Sequence, residues 1–394
     1  MRRVLPLCLF ALLCLLFLSA FGAPYTKHNV DIYIDGEQLI GHEVRIESSH
    51  EFQARREGGY APLYRKLRRK YTPKECLNYI GVGLGDYLSA ECEHRRIDPL
   101  NATLEWTKKI SDPFIYYKER AGRQVDLDLV GGKVARALDH GGTVRVLSEE
   151  VTPEVTCEDL GAQTALMGKY VTSFRTSGEN RRHNIRLAAE AINGTLLQPQ
   201  ETFSFNGVVG QRTEERGFRV ANIVIQGEFV KGVGGGVCQV STTLYNAVLL
   251  AGLTPNYAAA HSRPVSYVAY SRDCTVSEAI DFTFTNDTPY PLYLAAEVQE
   301  CTLTFCVFGK KEEGEYTLRS EVLQSIPFLC KDEKGEVLRD VTGYTLISAG
   351  REGVHSVLYR TYTHNGIRSV AIVRENYYPP KNALYSLTSE APNP

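Results

Sequence analysis

No block of lysines and arginines long enough to track a phosphate backbone occurs in this sequence. With 44 basic against 46 acidic residues the net charge is −2, so no nucleic-acid partner is expected. No Cys-x-x-Cys pair with histidine partners is present either, which argues against a structural zinc site; no metal or other cofactor is expected. Internal repeats and low-complexity linkers are lacking as well. What remains is a chain of 394 residues, 43 % hydrophobic and 23 % charged, an ordinary globular composition with room for two or three domains. The one short basic run, Arg65-Lys-Leu-Arg-Arg-Lys70, reads as a solvated helix face or as a contact with an anionic membrane or wall.

The first 23 residues are of another kind. Met1-Arg2-Arg3 precedes an uncharged apolar run from Val4 to Ala23. The arginines mark a cytoplasmic end, and Ala20 and Gly22 offer a small-x-small cleavage pattern. The run is also long enough to span a bilayer if it stays on. Residues 4–23 are thus a signal peptide or a membrane anchor, and either one exports the rest of the chain.

Eight of the ten cysteines lie beyond this segment. In an exported protein an even number invites disulfides, with Cys76–Cys92 and Cys301–Cys306 as possible pairs. Cys238 stands apart. Gly234-Gly-Gly-Val-Cys238-Gln-Val-Ser-Thr-Thr-Leu-Tyr245 sets it between a glycine run, which lets the backbone bend sharply, and a helix signalled by Val240, Leu244, Val248 and Ala251 and stopped by Gly252. The first turn of a helix favours a thiolate. The competing reading is a small buried core residue, or a disulfide to Cys274.

A cysteine nucleophile needs a base, an orienting group and oxyanion donors. His261 follows Cys238 by 23 residues and is the single histidine between 184 and 354, so it is the natural base; otherwise it is a surface-loop residue. Asp273 would orient it, bind a substrate amine, or serve a turn. Arg212 and Arg272 are candidate clamps for a substrate carboxylate, because guanidinium matches carboxylate in a bidentate way. The Gln239 amide is a candidate oxyanion donor. Thr242, four residues past Cys238, shares its helix face.

Along the chain, 24–95 contains a strand-like Val30-Asp-Ile-Tyr-Ile-Asp-Gly36 and is otherwise an extension of unknown role. Residues 96–157 read as a small α/β unit, with strands over Asn101–Trp106, Pro113–Tyr117 and Thr143–Leu147 and a helix over Leu127–Leu138. A helix over Asn184–Gly194 opens the next region, followed by strands at Thr202–Asn206, Asp281–Asn286 and Tyr290–Leu294. The last segment is β-rich, and His364-Asn365-Gly366 is a hairpin turn. The expected class is α+β, a β-rich central domain around the Cys238 helix.

The central order of motifs, from the Asn184 helix through Val209-Gly-Gln-Arg-Thr213, the glycine–cysteine core and His261-Ser-Arg-Pro to Ser271-Arg-Asp-Cys274, resembles the VanW family over 158–310. Asn101-Ala, Val125-Asp-Leu and the Val-x-Leu strand before Pro153 resemble the peptidoglycan-binding domain that often precedes it. Glu321-Val-Leu-Gln-Ser-Ile-Pro, Ala349-Gly-Arg-Glu-Gly and Tyr359-Arg-Thr-Tyr resemble the G5 module, a wall or glycan adhesion element, over 317–394. The resemblance implies an extracytoplasmic cell-wall protein whose partners are peptidoglycan stem peptides and wall glycan.

Clostridial VanW domains look like L,D-transpeptidases, so the resemblance also implies a reaction. Cys238 would form a thioester with the third residue of a stem tetrapeptide, release D-Ala, and pass the acyl group to a neighbouring amine, making a 3–3 cross-link with His261 as base. Water as acceptor would make an L,D-carboxypeptidase. A non-catalytic wall scaffold is the alternative; sequestration of a glycopeptide drug has no residue-level support. Three departures touch the pattern: Gln200 stands where glycine is common, Ala269-Tyr-Ser-Arg272 where a Pro and a Gly are usual, and Cys274 where Ala is usual. The last two lie in the loop of Asp273.

Overall fold

The computed structural model describes residues 25–225 and 228–387; the apolar segment 4–23 lies outside them. Among the described residues no helix is long and apolar enough to cross a membrane. The chain divides into two compact units, one running to Thr103 and resuming over Lys118–Thr156, the other comprising Leu104–Tyr117 and everything from Cys157. Mixed helices and open sheets make the fold α+β.

In the first unit, strands Tyr25–Ile34 and Glu37–Glu47 form a hairpin. It turns at Asp35 and Gly36, both at positive φ (52° and 85°), where glycine and short polar residues are tolerated. Thr143–Val146 adds in parallel beside Asp31–Ile34. Helices Ser48–Glu57, Tyr60–Leu67, Pro73–Ile80, Leu84–His94 and Leu127–His140 cover this sheet. Ile32, Ile34 and Ile46 share one core with Leu77, Leu84, Val130 and Val134. The stretch 24–95 is therefore not an appendage to 96–157: its hairpin supplies two of the three strands on which the later helix packs. In the basic run, Arg68 pairs with Asp128 at 2.8 Å, while Arg65, Lys66, Arg69 and Lys70 are at least partly exposed.

The second unit is built on an antiparallel sheet in the order Ala165–Ser173, Thr302–Gly309, Leu292–Gln299, Thr195–Leu197. Period-two alternation gives it two faces. Leu292, Leu294, Leu303, Phe305 and Val307 join the core that contains the helices Glu179–Ile192 and Val237–Leu250. Tyr293, Ala295, Cys306 and Phe308 meet a different partner. Strands Thr103–Trp106 and Phe114–Tyr117, read from sequence as part of the 96–157 unit, place Trp106 and Phe114 edge-on to Tyr293, each 5.0 Å between centroids.

Several boundaries differ from the sequence reading: the strands expected over Asp281–Asn286 and Tyr290–Leu294 are Thr283–Thr285 and Leu292–Gln299. The helix expected from Asn184 begins at Glu179. The strand expected over Thr202–Asn206 stops at Ser204, whose hydroxyl accepts the Gly207 amide at 2.9 Å and caps a short helix, Phe205–Val209. Beyond the central region, Glu315–Ile326, Gly353–His364 and Ile367–Tyr378 form a three-stranded sheet. Its tight turn at Asn365 and Gly366 has φ of 48° and 78°, as a primed two-residue hairpin requires.

Candidate active site

The glycine run before Cys238 is a close backbone crossing. Gly234 and Gly236 take φ of 82° and 113°, and a Cβ on Gly235 would lie 2.5 Å from the Asn222 carbonyl oxygen. Asn184, fully buried on the helix Glu179–Ile192, clamps the crossing. Its amide nitrogen donates to the carbonyls of Arg219 (2.8 Å) and Gly235 (3.0 Å), and its oxygen accepts the Arg219 amide at 2.8 Å. The turn thus delivers Cys238 at the second position of the helix Val237–Leu250.

That helix is buried almost all round, including its polar residues. Ser241 and Thr242 donate to the Cys274 carbonyl at 2.7 and 3.2 Å, and the Cys274 amide returns a bond to Thr242 at 2.9 Å. Asn246 donates to the Arg272 carbonyl at 2.8 Å and accepts from the Arg272 side chain at 2.9 Å. On the other side, the Gln239 side-chain amide donates to Thr172 Oγ1 and to the Ser173 carbonyl, both at 3.0 Å. One set of hydrogen bonds fastens the helix to the sheet. The other lays the 272–274 segment along it.

This brings Asp273 to His261 and His261 to Cys238. Asp273 Oδ2 accepts both the His261 backbone amide and its ring Nδ1, each at 2.7 Å. The His261 and Asp273 side chains are only 7 % and 2 % exposed. With Nδ1 so engaged, Nε2 is the ring nitrogen left to interact with the Cys238 sulfur, to which the His261 charge is coupled. Thr275 Oγ1 (3.7 Å) and the Val276 carbonyl (3.4 Å) also border the sulfur. Protein crowds the sulfur on most sides, yet the residue keeps part of its surface open to solvent.

Burial by itself disfavours a charge on Cys238, but the hydrogen bond and positive charge of His261 outweigh it and hold the thiol below its ordinary value. Burial opposes the imidazolium as well; the Asp273 hydrogen bond and the Cys238 contact overcome that and push His261 up to about 9. Asp273 is held below the usual carboxylate range, its desolvation offset by the hydrogen bonds and charge of His261. The arrangement favours a thiolate–imidazolium pair backed by a carboxylate. Cys274 is the reverse case: fully buried, its thiol is pushed up by desolvation. Cys238 and Cys274 are both free thiols, not joined in a disulfide, and so are Cys76, Cys92, Cys301 and Cys306.

The other oxygen of Asp273 is held by residues the sequence reading did not single out. Tyr378 donates its hydroxyl to Asp273 Oδ1 at 2.5 Å, and Arg374 donates to the Asp273 carbonyl and lies 3.4 Å from Oδ1. The same two side chains grip Ser271, which sits at φ 62°: its amide donates to Tyr378 Oη (3.0 Å), and its carbonyl accepts from Arg374 Nε (2.9 Å). No local sequence signal points from the last hairpin to this loop.

The remaining candidates are distributed unevenly. Arg212 packs against the glycine crossing, where a Cβ on Gly234 would meet its Cβ at 2.8 Å, and its charge reaches Cys238. It donates to Asn206 at 2.6 Å. Arg272 is turned elsewhere, bonded to Asn246 and lying 4.9 Å over the Tyr170 ring. Arg181, which the sequence reading did not single out, packs against Gly236, donates to Ser177 (2.6 Å) and Gln239 (2.8 Å), and its charge also reaches Cys238. The Gln239 backbone amide donates to the Gly236 carbonyl at 3.0 Å, so it closes the turn instead of facing an oxyanion. The Thr242 hydroxyl is engaged with Cys274, its helix face being covered. Among the described residues no three His, Cys, Asp or Glu side chains converge as a metal site.

Cys238, His261 and Asp273 all fall within residues 180–308, which match the family described as VanW like protein. The chain carries a VanW-like domain. Over 156 residues it is 45 % identical to the uncharacterized protein YoaR of Bacillus subtilis (strain 168), covering 39 % of this chain and 52 % of that one. Over 140 residues it is 31 % identical to the vancomycin B-type resistance protein VanW of Enterococcus faecalis (strain ATCC 700802 / V583), covering 34 % and 51 %. The chain thus spans about half the length of these curated relatives. Among solved structures, HP0197-G5 matches 19 % of this chain and 99 % of its own at 14 % identity and a TM-score of 0.13. The IgA1 protease G5 domain matches 20 % and 96 % at 18 % identity and a TM-score of 0.14.

Proposed function

We propose that this VanW-type protein is an extracytoplasmic cell-wall enzyme, a cysteine L,D-transpeptidase acting on peptidoglycan stem peptides. The observation that carries the reading is the continuous chain from the Cys238 sulfur through His261 to Asp273 at a helix N-terminus. The Cys238 thiolate attacks the carbonyl carbon that joins the third stem residue to the terminal D-Ala. As that C–N bond breaks, the His261 imidazolium gives its proton to the departing amine, leaving a thioester on Cys238 and a neutral imidazole. An acceptor amine from a neighbouring stem then attacks the thioester. His261 takes the amine's proton, the C–S bond breaks, and a 3–3 amide is formed with the thiolate–imidazolium pair restored. With water as acceptor the same steps give an L,D-carboxypeptidase.

Arg181 and Arg212 bracket the crossing that presents Cys238, and their bonded partners are neutral: Ser177, Gln239 and Asn206. A stem peptide brings carboxylates into this neighbourhood, and two guanidinium groups supply complementary charge. A wall scaffold without catalysis has no use for a charged thiol–imidazole pair, whose burial is costly unless each charge is satisfied.

Mass spectrometry of tetrapeptide muropeptides incubated with the reduced protein tests the reading, with Cys238→Ala in parallel. A 3–3 dimer or loss of D-Ala that disappears in the variant supports it, and the product separates transpeptidase from carboxypeptidase. No product, with muropeptide binding that survives the substitution, overturns it in favour of the scaffold.

A further inference from the structure

The loop that carries Asp273 is held from two sides. From within the VanW-like domain, Ser241, Thr242 and Asn246 fix its backbone at 272 and 274. From the C-terminal sheet, Tyr378 and Arg374 reach Ser271 and Asp273 itself, and Ser356 bonds the Ser271 hydroxyl at 2.8 Å. The Asp273 carboxylate therefore has four donors: the amide and ring of His261 on one oxygen, the Tyr378 hydroxyl and the Arg374 guanidinium on the other. Tyr378 is 1 % exposed and stays protonated, burial and the Asp273 charge both opposing its ionisation. Its hydroxyl has one proton to give; Asp273 receives it, and the Ser271 amide occupies the lone pair.

We infer that the C-terminal sheet completes the reactive site, with Tyr378 and Arg374 as positioning residues that act on Cys238 through Asp273 and His261. The inference rests on the Cys238–His261–Asp273 reading but not on which acyl group the thiol accepts. A carboxylate bonded on one oxygen alone can swing about its Cα–Cβ bond. Bonded on both, it keeps Oδ2 aimed at the ring, and the ring keeps Nε2 aimed at the sulfur. Ser271, a non-glycine residue at positive φ, sits where such a conformation costs energy unless the surroundings enforce it; Tyr378 and Arg374 enforce it. The sheet is thus part of the machinery that holds the thiolate, in addition to any surface it offers to the wall.

The test reads alkylation of Cys238 by iodoacetamide, followed by peptide mass spectrometry across pH in the intact protein, and needs no substrate. Tyr378→Phe removes one oxygen and keeps the ring packed beside Tyr270. With its short Oδ1 bond gone and only Arg374 left at 3.4 Å on that oxygen, Asp273 is held loosely, the imidazolium loses support, the acid limb of the alkylation profile moves up by about one pH unit, and the rate on that limb falls about tenfold. Arg374→Lys shifts the limb in the same direction and supplies the reading if Tyr378→Phe does not fold. Arg360→Gln serves as control: Arg360 joins the same sheet to the Leu253 carbonyl at 2.7 Å and makes no bond to Asp273, so its profile stays at that of the wild type even if melting is earlier.

A limb that stays in place or moves down in both Tyr378→Phe and Arg374→Lys overturns the inference, as does an equal shift in Arg360→Gln. Removing a donor from Asp273 without freeing it would leave more negative charge facing His261 and move the limb down, so the sign is informative. A wild-type limb at the ordinary thiol value of 9.0 would instead remove the activated-nucleophile reading itself.

Discussion

His261 gives both its backbone amide and its ring Nδ1 to one oxygen of Asp273, each at 2.7 Å. The two bonds fix different things. The amide bond sets where the loop crosses the carboxylate, and the ring bond sets the tautomer, because Nδ1 must carry the proton. Nε2 is then an acceptor toward the Cys238 thiol or, once it has taken the proton, a donor toward the thiolate. A histidine in a mobile surface loop would have neither constraint.

Asp273→Asn tests the tautomer directly. Both carboxylate oxygens accept from donors, the His261 amide and ring on one side and Tyr378 and Arg374 on the other, so an asparagine NH2 group opposes donors in either orientation. The negative charge that supports the imidazolium is lost in both, and with the NH2 toward His261 the ring Nδ1 must accept and Nε2 carries the proton, leaving nothing with which to deprotonate Cys238. The turnover number is expected to fall by roughly 10³- to 10⁴-fold, the scale of wrong-tautomer variants in other triads, with protein stability changed far less. Nitrogen NMR of the His261 ring checks the tautomer; activity within about tenfold of wild type would contradict the assignment.

The pH profile follows from the same pair. On the proposed mechanism the productive form holds thiolate and imidazolium together. On the acid side the Cys238 thiolate is lost by protonation, below the ordinary thiol range. On the basic side His261 loses its proton near pH 9, and the departing amine then has no donor. A bell-shaped kcat/KM is expected, with the basic limb near pH 9, the two limbs belonging to the coupled pair. Alkylation needs only the thiolate and should not fall on that side. Cys238→Ser removes the adjacent negative charge, so the cationic form of His261 loses support and its pKa drops from about 9. A ring titration by NMR that stays near 9 would count against the pair.

Asn184→Ala should destabilise the protein although Asn184 bonds to neither Cys238 nor His261. Its loss leaves the Arg219 amide and carbonyl and the Gly235 carbonyl without their buried partner. Each orphaned group costs about 1–3 kcal/mol where water cannot reach, so a loss on the order of 3 kcal/mol is expected by denaturant titration. Because the clamp also fixes the crossing before Cys238, the alkylation rate should fall with it. Unchanged stability would mean that water enters and satisfies the crossing.

What the sequence revealed of this site was its local chemistry. Glycines followed by a 3.6-residue apolar repeat announced a sharp turn into a helix, and Cys238 fell at its start. The pairing of His261 with Asp273 was readable as a proposal because both lie in one short connection after that helix. Tyr378 could not be found this way: it is 105 positions from Asp273, and nothing about an aromatic residue in a strand distinguishes a hydroxyl aimed at a carboxylate from one aimed at solvent. Arg272 and Arg181 show the same limit. Both are arginines near the motif, and only the packing tells that one lies on Tyr170 while the other lies against Gly236. The segments Thr103–Trp106 and Phe114–Tyr117 show as strands in sequence, but strand signals do not say which sheet will bury Phe114, which here packs with Tyr293 and Phe308.

Arg212→Lys separates binding from chemistry. The guanidinium is anchored by Asn206 at 2.6 Å and lies 5.7 Å over the Phe205 ring. Desolvation disfavours its charge while Cys238, Asp281 and Glu278 favour it. Lysine keeps the charge but loses the planar fork and the contact with Asn206. If Arg212 binds a substrate carboxylate equally in ground and transition states, KM should rise about tenfold, equivalent to about 1.4 kcal/mol, with kcat nearly unchanged. A fall in kcat at constant KM would instead place Arg212 at the developing oxyanion. Alkylation of Cys238 by neutral iodoacetamide should change little, because lysine still supplies the positive charge near the thiolate.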